Sequence, residues 1–142
     1  MATHSHSHAH THSGGGLTRN QGLVFDALTQ AEGPLSAYSI LDRLRGDGFR
    51  APLQVYRALD KLTEIGLVHR LESINAFVAC RQDECGKHGP IAFAICEKCG
   101  LVSEFANDEV AHLLEEWAST AGFELNKTTI ELRGLCRECQ SP

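Results

Sequence analysis

From residue 17 the chain carries apolar residues at helical spacing, first at Leu23, Val24, Ala27, Leu28 and Ala31, until "EGP" breaks the run. Ser36 stands where an N-cap belongs. Behind it Ala37, Ile40, Leu41 and Leu44 fall at i, i+3, i+4 and i+7, and Gly46 is expected to close this second helix. A third helix is expected from Pro52, whose ring suits a first turn, to Gly66. Its apolar stripe is Val55, Ala58, Leu59, Leu62 and Ile65, which leaves Tyr56, Arg57, Asp60, Lys61 and Glu64 on the opposite face. The period then drops to two. "LVHRLES" and "NAFVAC" alternate as a pair of short strands around Ser73–Asn75. Three short helices followed by a β-ribbon predict a winged helix-turn-helix over residues 17–80.

Residues 81–90, "RQDECGKHGP", are polar and glycine-rich and read as a hinge linker. Beyond them, "IAFAIC", "LVSEFA" and "FELNKTTIEL" read as strands. A helix is expected from about Asp108 to Thr120 with the apolar stripe Val110, Leu113, Leu114 and Trp117. Residues 91–142 are therefore expected to form a small α/β unit, and the chain as a whole belongs to the α+β class. About fifty residues make a thin core, and such units commonly gain stability from a metal or a partner chain. Residues 1–16 carry His4, His6, His8, His10 and His12 among small polar residues and end in three glycines. Their composition is that of a disordered tail; weak metal capture by the histidines is the functional alternative.

No charged and apolar leader opens the chain, and no apolar run approaches the ~18 residues that span a bilayer, so a cytoplasmic protein without membrane contact is expected. Charge is divided unevenly along the 142 residues. Residues 17–79 hold seven basic and seven acidic side chains, whereas residues 80–142 hold six and eleven, which accounts for the whole net charge of −5. The second unit is thus a poor surface for nucleic acid. If the first unit binds DNA, its non-specific attraction to phosphate is modest and its selectivity rests on geometry.

Four of the six cysteines form two C-x-x-C pairs, Cys96/Cys99 and Cys136/Cys139, with 36 residues between them. In a reducing compartment disulfide frameworks are rare. A redox C-x-x-C would open a helix, where the helix dipole lowers one thiol pKa, and neither pair is so placed. Two turns that each offer two thiolates can close a tetrahedral shell, which suits structural Zn²⁺.

The third helix of a winged module enters the major groove with its N-terminal residues nearest the bases. Gln54, Tyr56 and Arg57 are placed there, and Tyr38 on the second helix joins them as a DNA-binding candidate. Arginine can bridge guanine O6 and N7, and a tyrosine ring can pack on a thymine methyl. The same pattern also fits an ordinary solvated helix face.

Around the linker stand His69, Cys80, Cys85, His88, Glu104 and His112, of which His112 falls on the exposed face of its helix. Two imidazoles, one thiolate and one carboxylate would make a closed four-ligand site suited to Zn²⁺ rather than to harder Mn²⁺ or Mg²⁺. "APLQVYRALDKLTEIGLVHRLES", followed by "CEKCG" and "GLCREC", resembles the ferric uptake regulator family over residues 17–139, and most closely its zinc uptake regulators. Iron and peroxide sensors of that family carry a dense histidine run before the first C-x-x-C, where this chain has only His88. The resemblance implies a regulatory zinc on His69, Cys80, His88 and Glu104 beside the structural zinc on Cys96, Cys99, Cys136 and Cys139, hence two Zn²⁺ per chain. Cys85, five residues beyond Cys80, leaves the identity of the thiolate ligand open. The resemblance further implies a homodimer on double-stranded operator DNA, held through the α/β unit as a dimerisation domain, that represses zinc-uptake genes and has no catalytic residues. Manganese, iron or nickel sensing within the same family is the nearest alternative. A zinc buffer or chaperone and a thiol oxidoreductase are more distant ones.

Overall fold

The computed structural model describes residues 16–81 and 91–140. The histidine-rich run at the N-terminus lies outside the described residues.

Helix α1 (Arg19–Gln30) opens on a capping box: Thr18 Oγ1 accepts from the Gln21 amide at 3.2 Å, and Gln21 Oε1 accepts from the Thr18 amide at 3.1 Å. Helix α2 (Ala37–Leu44) starts at the expected cap, where Ser36 Oγ accepts from the Ser39 amide. It does not end at Gly46. A 3₁₀ turn over Arg45–Asp47 continues it, and the chain reverses at Gly48, whose φ of +94° is the left-handed conformation that glycine adopts without strain. Helix α3 (Pro52–Glu64) buries Val55, Ala58, Leu59 and Leu62. Ile65, expected on the same stripe, is the C-cap with non-helical backbone and is 43% exposed, because the helical phase ends one residue before it.

Strands β1 (Val68–Leu71) and β2 (Ala76–Ala79) pair antiparallel as the wing, with Asn75 in the left-handed conformation at the turn between them. Leu35 and Phe77 exchange two backbone hydrogen bonds, 3.0 and 2.8 Å long, which fasten the wing to the segment joining α1 and α2. The core of this unit is continuous from Val24 and Leu28 through Ile40, Leu41, Phe49, Val55, Leu59 and Leu62 to Val68 and Phe77.

In the second unit β3 (Ile91–Cys96) lies between β4 (Val102–Ala106), antiparallel to it, and β5 (Thr129–Gly134), parallel to it. Helix α4 (Asp108–Ala121) makes the crossover that a parallel pair requires; Asn107 Oδ1 caps its first turn and Gly122 ends it in the left-handed conformation. Strand β5 is shorter than the sequence suggested, since residues 123–128 lie outside it. Of the expected apolar stripe of α4 only Leu114 is half-buried; the other three residues stay exposed within the chain. Ala111 and Ala118 face inward, whereas Val110, Leu113 and Trp117 are 40%, 65% and 62% exposed.

A second apolar cluster joins the two units. Leu71 of β1 and Val78 of β2 pack on Phe93 and Ile95 of β3 and on Val102 of β4. This narrow waist, rather than a shared core, sets where the wing meets the three-stranded sheet.

Candidate metal centres and DNA-facing helix

Cys96 ends β3 and Cys99 follows it in a tight turn, while Cys136 and Cys139 lie just past β5, which runs parallel to β3 and places its C-terminal end alongside. Register pairs Cys96 with Gly134, and the Glu97 amide donates to the Gly134 carbonyl at 2.8 Å. The four sulfurs consequently lie within 4.8 Å of one another, with Cys99 Sγ 3.7 Å from Cys136 Sγ. Sulfurs around a tetrahedral Zn²⁺ stand about 3.8 Å apart, given Zn–S bonds of about 2.3 Å. The quartet's electrostatics also fit a cation. Backbone amides of Cys136, Cys99 and Lys98 bring the Cys96 thiol down to about 6, whereas neighbouring thiols push Cys139 up to about 12. One thiolate forms readily, and four together need a positive charge among them.

The second cluster lies at the waist. His69 on β1, Cys80 just past β2 and Glu104 on β4 bring a ring nitrogen, a sulfur and a carboxylate oxygen within 4.8 Å. Cys80 Sγ stands 3.6 Å from Glu104 Oε1, and the Arg81 amide donates to Glu104 Oε2 at 3.4 Å. Burial, with the Lys127 ammonium adding to it, holds the His69 imidazole below its usual pKa and so in the neutral form that ligates metals. Among the described residues its buried Nε2 has no hydrogen-bond partner, a cost that an incoming cation would remove. Burial raises the Glu104 carboxyl, an effect opposed by the Arg81 amide and guanidinium. Cys80 is in a disulfide in this structure, so reduction must precede ligation through its sulfur. Of the four ligands expected from sequence, three are therefore together; His88, like Cys85, lies outside the described residues. His112 is exposed beside Glu115 on α4, away from both clusters.

The DNA-binding candidates have unequal surroundings. Arg57 and Tyr38 are exposed, Tyr38 by 64%. Gln54 Oε1 is occupied with helix capping: it accepts from the Arg50 and Ala51 amides at 2.7 and 3.1 Å. Tyr56 packs half-buried against the core of the first unit and lines a cleft of about 820 Å³ that faces the second unit, together with Arg70 and Lys127. Sequence reasoning did not single out Phe93, Ser73 or Glu131, which prove to organise the waist. Phe93 reads as one more apolar strand residue, and no local pattern marks the other two.

The sequence pattern of the ferric uptake regulator family matches residues 13–133. The chain belongs to the ferric uptake regulator family. It is 39% identical over 117 residues to the zinc uptake regulation protein of Escherichia coli K12, covering 82% of this chain and 68% of that protein. Identity to the zinc uptake regulation protein of Mycobacterium tuberculosis CDC 1551 is 30% over 125 residues, which span 87% of this chain and 94% of the relative. Among solved structures, a zinc uptake regulator complexed with zinc and DNA superposes with a TM-score of 0.81 at 37% identity, covering 88% of this chain and 83% of that one. Within this family the N-terminal unit is the winged-helix DNA-binding domain and the three-stranded unit is the dimerisation domain, in agreement with the α+β architecture expected from sequence.

Proposed function

We propose that this chain is a zinc-responsive transcriptional repressor that binds palindromic operator DNA as a homodimer and represses zinc-uptake genes. The observation that carries the reading is the convergence of His69, Cys80 and Glu104 across the waist, with a buried His69 Nε2 that has no hydrogen-bond partner among the described residues. Relatives named as zinc uptake regulation proteins support the choice of metal, and so does the donor set, since a thiolate with an imidazole favours Zn²⁺ over Mn²⁺ or Mg²⁺.

In this reading His69, Cys80 and Glu104, with His88 as the fourth ligand, hold the regulatory ion, and Cys96, Cys99, Cys136 and Cys139 hold a structural one, which makes two Zn²⁺ per chain. Bound at the waist, Zn²⁺ supplies coordinate bonds that favour the arrangement in which its ligands are together. His69 rides on the wing and Glu104 on the sheet, so keeping them together fixes α3 relative to the dimerisation domain. Operator DNA that selects the same arrangement tightens metal binding by the same factor.

Arg57 and Tyr38 are the side chains that reach the groove. Gln54 and Tyr56 support them by holding the start of α3 and its seat on the core. A second copy of the chain covers the face formed by Val110, Leu113 and Trp117, whose indole lies 5.8 Å from the Phe123 ring. Residues 17–80, 81–90 and 91–142 serve as DNA-binding domain, hinge and dimerisation domain. Among the described residues no helix is long and apolar enough to cross a membrane. The protein acts in the cytoplasm as a regulator and not as an enzyme.

Gel shifts with operator DNA across buffered Zn²⁺, Mn²⁺ and Fe²⁺ test the reading. Binding should appear with Zn²⁺ at the lowest free metal. Equal or better response to Mn²⁺ or Fe²⁺ would reassign the sensor, and metal-independent binding would remove the switch.

A further inference from the structure

Strand register places three residues abreast across the dimerisation sheet: Glu104 on β4 and Glu131 on β5 both pair with Phe93 on β3. Side chains opposite one another on neighbouring strands project to the same face, so the three form one rung beneath the wing. All three meet the first domain or its exit, Glu104 and Phe93 sharing His69 and Glu131 reaching Ser73. Glu104 faces His69 and Cys80, Phe93 lies against His69 in the apolar waist with Leu71, and Glu131 Oε1 accepts from both the amide and the hydroxyl of Ser73 at 3.3 and 3.0 Å. Ser73 sits in the wing turn over Glu72–Ile74, 58 residues from Glu131 in sequence. Two donors from one residue onto one carboxylate oxygen need no metal and fix the far end of the wing.

We propose that Glu131 is a positioning residue for the metal response. It latches the wing turn to β5 and so delivers His69 to Glu104 before an ion is bound. The inference rests on the regulatory site described above. It follows from the geometry of a rigid ribbon pinned at one end by the latch and at the other by the ligand cluster: with the latch released, the ribbon can tilt on the apolar waist and carry His69 away. Apparent affinity at the waist then falls with the fraction of molecules in which the ligands remain together. The quartet on β3 and β5 is untouched, because Glu131 pairs with Phe93 rather than with either C-x-x-C turn.

The test uses the full-length dimer carrying zinc in the cysteine quartet. In Glu131→Ala and Ser73→Ala, titration against a fluorescent zinc chelator should give waist affinity weaker by about three- to tenfold, the scale of one hydrogen bond to a charged group on a partly exposed surface. The double variant should be no weaker than either single one. Ser73→Thr, which keeps both donors, should restore affinity. A second readout needs no metal at the waist: with that site stripped by mild chelation, amide hydrogen exchange over residues 72–75 should be severalfold faster in Glu131→Ala than in the parent. Parent-like affinity and exchange in Glu131→Ala would overturn the latch, and so would an additive double variant. If the parent, with Cys80 kept reduced by a non-chelating phosphine, takes up only one zinc per chain, the regulatory-site reading fails instead, and the exchange comparison alone decides whether the latch exists.

Discussion

The ring of His69 lies 5.3 Å from that of Phe93 at an interplanar angle of 55°. Phe93 is 1% exposed and borders both clefts that flank the waist, the larger of about 820 Å³ and a smaller one of about 210 Å³. It therefore serves two purposes, as the centre of the apolar joint and as the wall that orients a metal ligand. Phe93→Ala should cost ~3–5 kcal/mol in urea denaturation, as for a fully buried phenylalanine truncated in a packed site. Phe93→Leu fills most of the volume and should cost less than ~1.5 kcal/mol. Yet the leucine variant should still lose waist zinc affinity, because a branched aliphatic chain offers no flat face to the imidazole. Equal zinc affinity in Phe93→Leu and the parent would reduce Phe93 to a packing residue.

The quartet's sulfurs join the end of β3 to the segment after β5, which are the first and last strands of the dimerisation domain. Sulfurs this close resist joint ionisation, and the neighbouring thiols push Cys139 up to about 12. Stripping the metal therefore leaves a small domain with four crowded sulfurs, no ion among them and a thin core. Cys96→Ser, or prolonged exposure to a strong chelator, should abolish dimerisation and the cooperative unfolding of this domain, as followed by sedimentation and circular dichroism. A folded dimer that survives complete removal of zinc would show that the quartet is dispensable.

Helix α4 was legible in its extent but not in its orientation. The stripe Val110, Leu113 and Trp117 has helical period, and period alone says that a face is apolar, not which body covers it. Within the chain that role falls to Ala111 and Ala118, whose small side chains let the helix sit close to the sheet. The first domain was read more fully, since its capping residues and stripes are local signals; its errors, at Gly46 and Ile65, lie at helix ends. At the waist the gathering of His69, Cys80 and Glu104 around the hinge could be read. The rung of Glu104, Phe93 and Glu131 could not, because it depends on a parallel pairing between strands separated by α4. Exposure of so large an apolar face predicts that Leu113→Glu or Trp117→Glu yields monomers with one structural zinc retained, measurable by sedimentation equilibrium and metal analysis. Dimers of unchanged affinity would place the interface elsewhere.

Arg57 and Tyr56 are neighbours on α3 with opposite environments, one in solvent and one against the core. Arg57→Ala should weaken operator binding by ~1–3 kcal/mol at one base position while leaving zinc content and thermal stability intact. Tyr56→Ala should instead lower the stability of the DNA-binding domain, and its operator loss should follow that stability. Side-by-side gel shifts and thermal melts separate the two. An Arg57→Ala protein with parental operator affinity would make that helix face a solvated one.

His69 and Glu104 approach each other from different domains, so removing either should spare both cores and disable only the switch. His69→Ala and Glu104→Gln should remain folded dimers with one zinc per chain and lose most zinc-dependent operator binding, because metal no longer distinguishes the closed arrangement from the open one. Cys80 adds a chemical condition. Its sulfur is in a disulfide here, and a disulfide sulfur cannot act as a thiolate ligand. Zinc per chain should thus approach two under a non-chelating phosphine reductant and stay near one after mild oxidation of the zinc-loaded protein, whose quartet thiolates are shielded by their own ion. Cys80→Ser should stay near one under both conditions. Cys85→Ser identifies the thiolate: a parental zinc response in this variant assigns the sulfur to Cys80, whereas its loss with a normal response in Cys80→Ser transfers the role to Cys85. If neither change alters zinc-dependent DNA binding, the waist is not the switch.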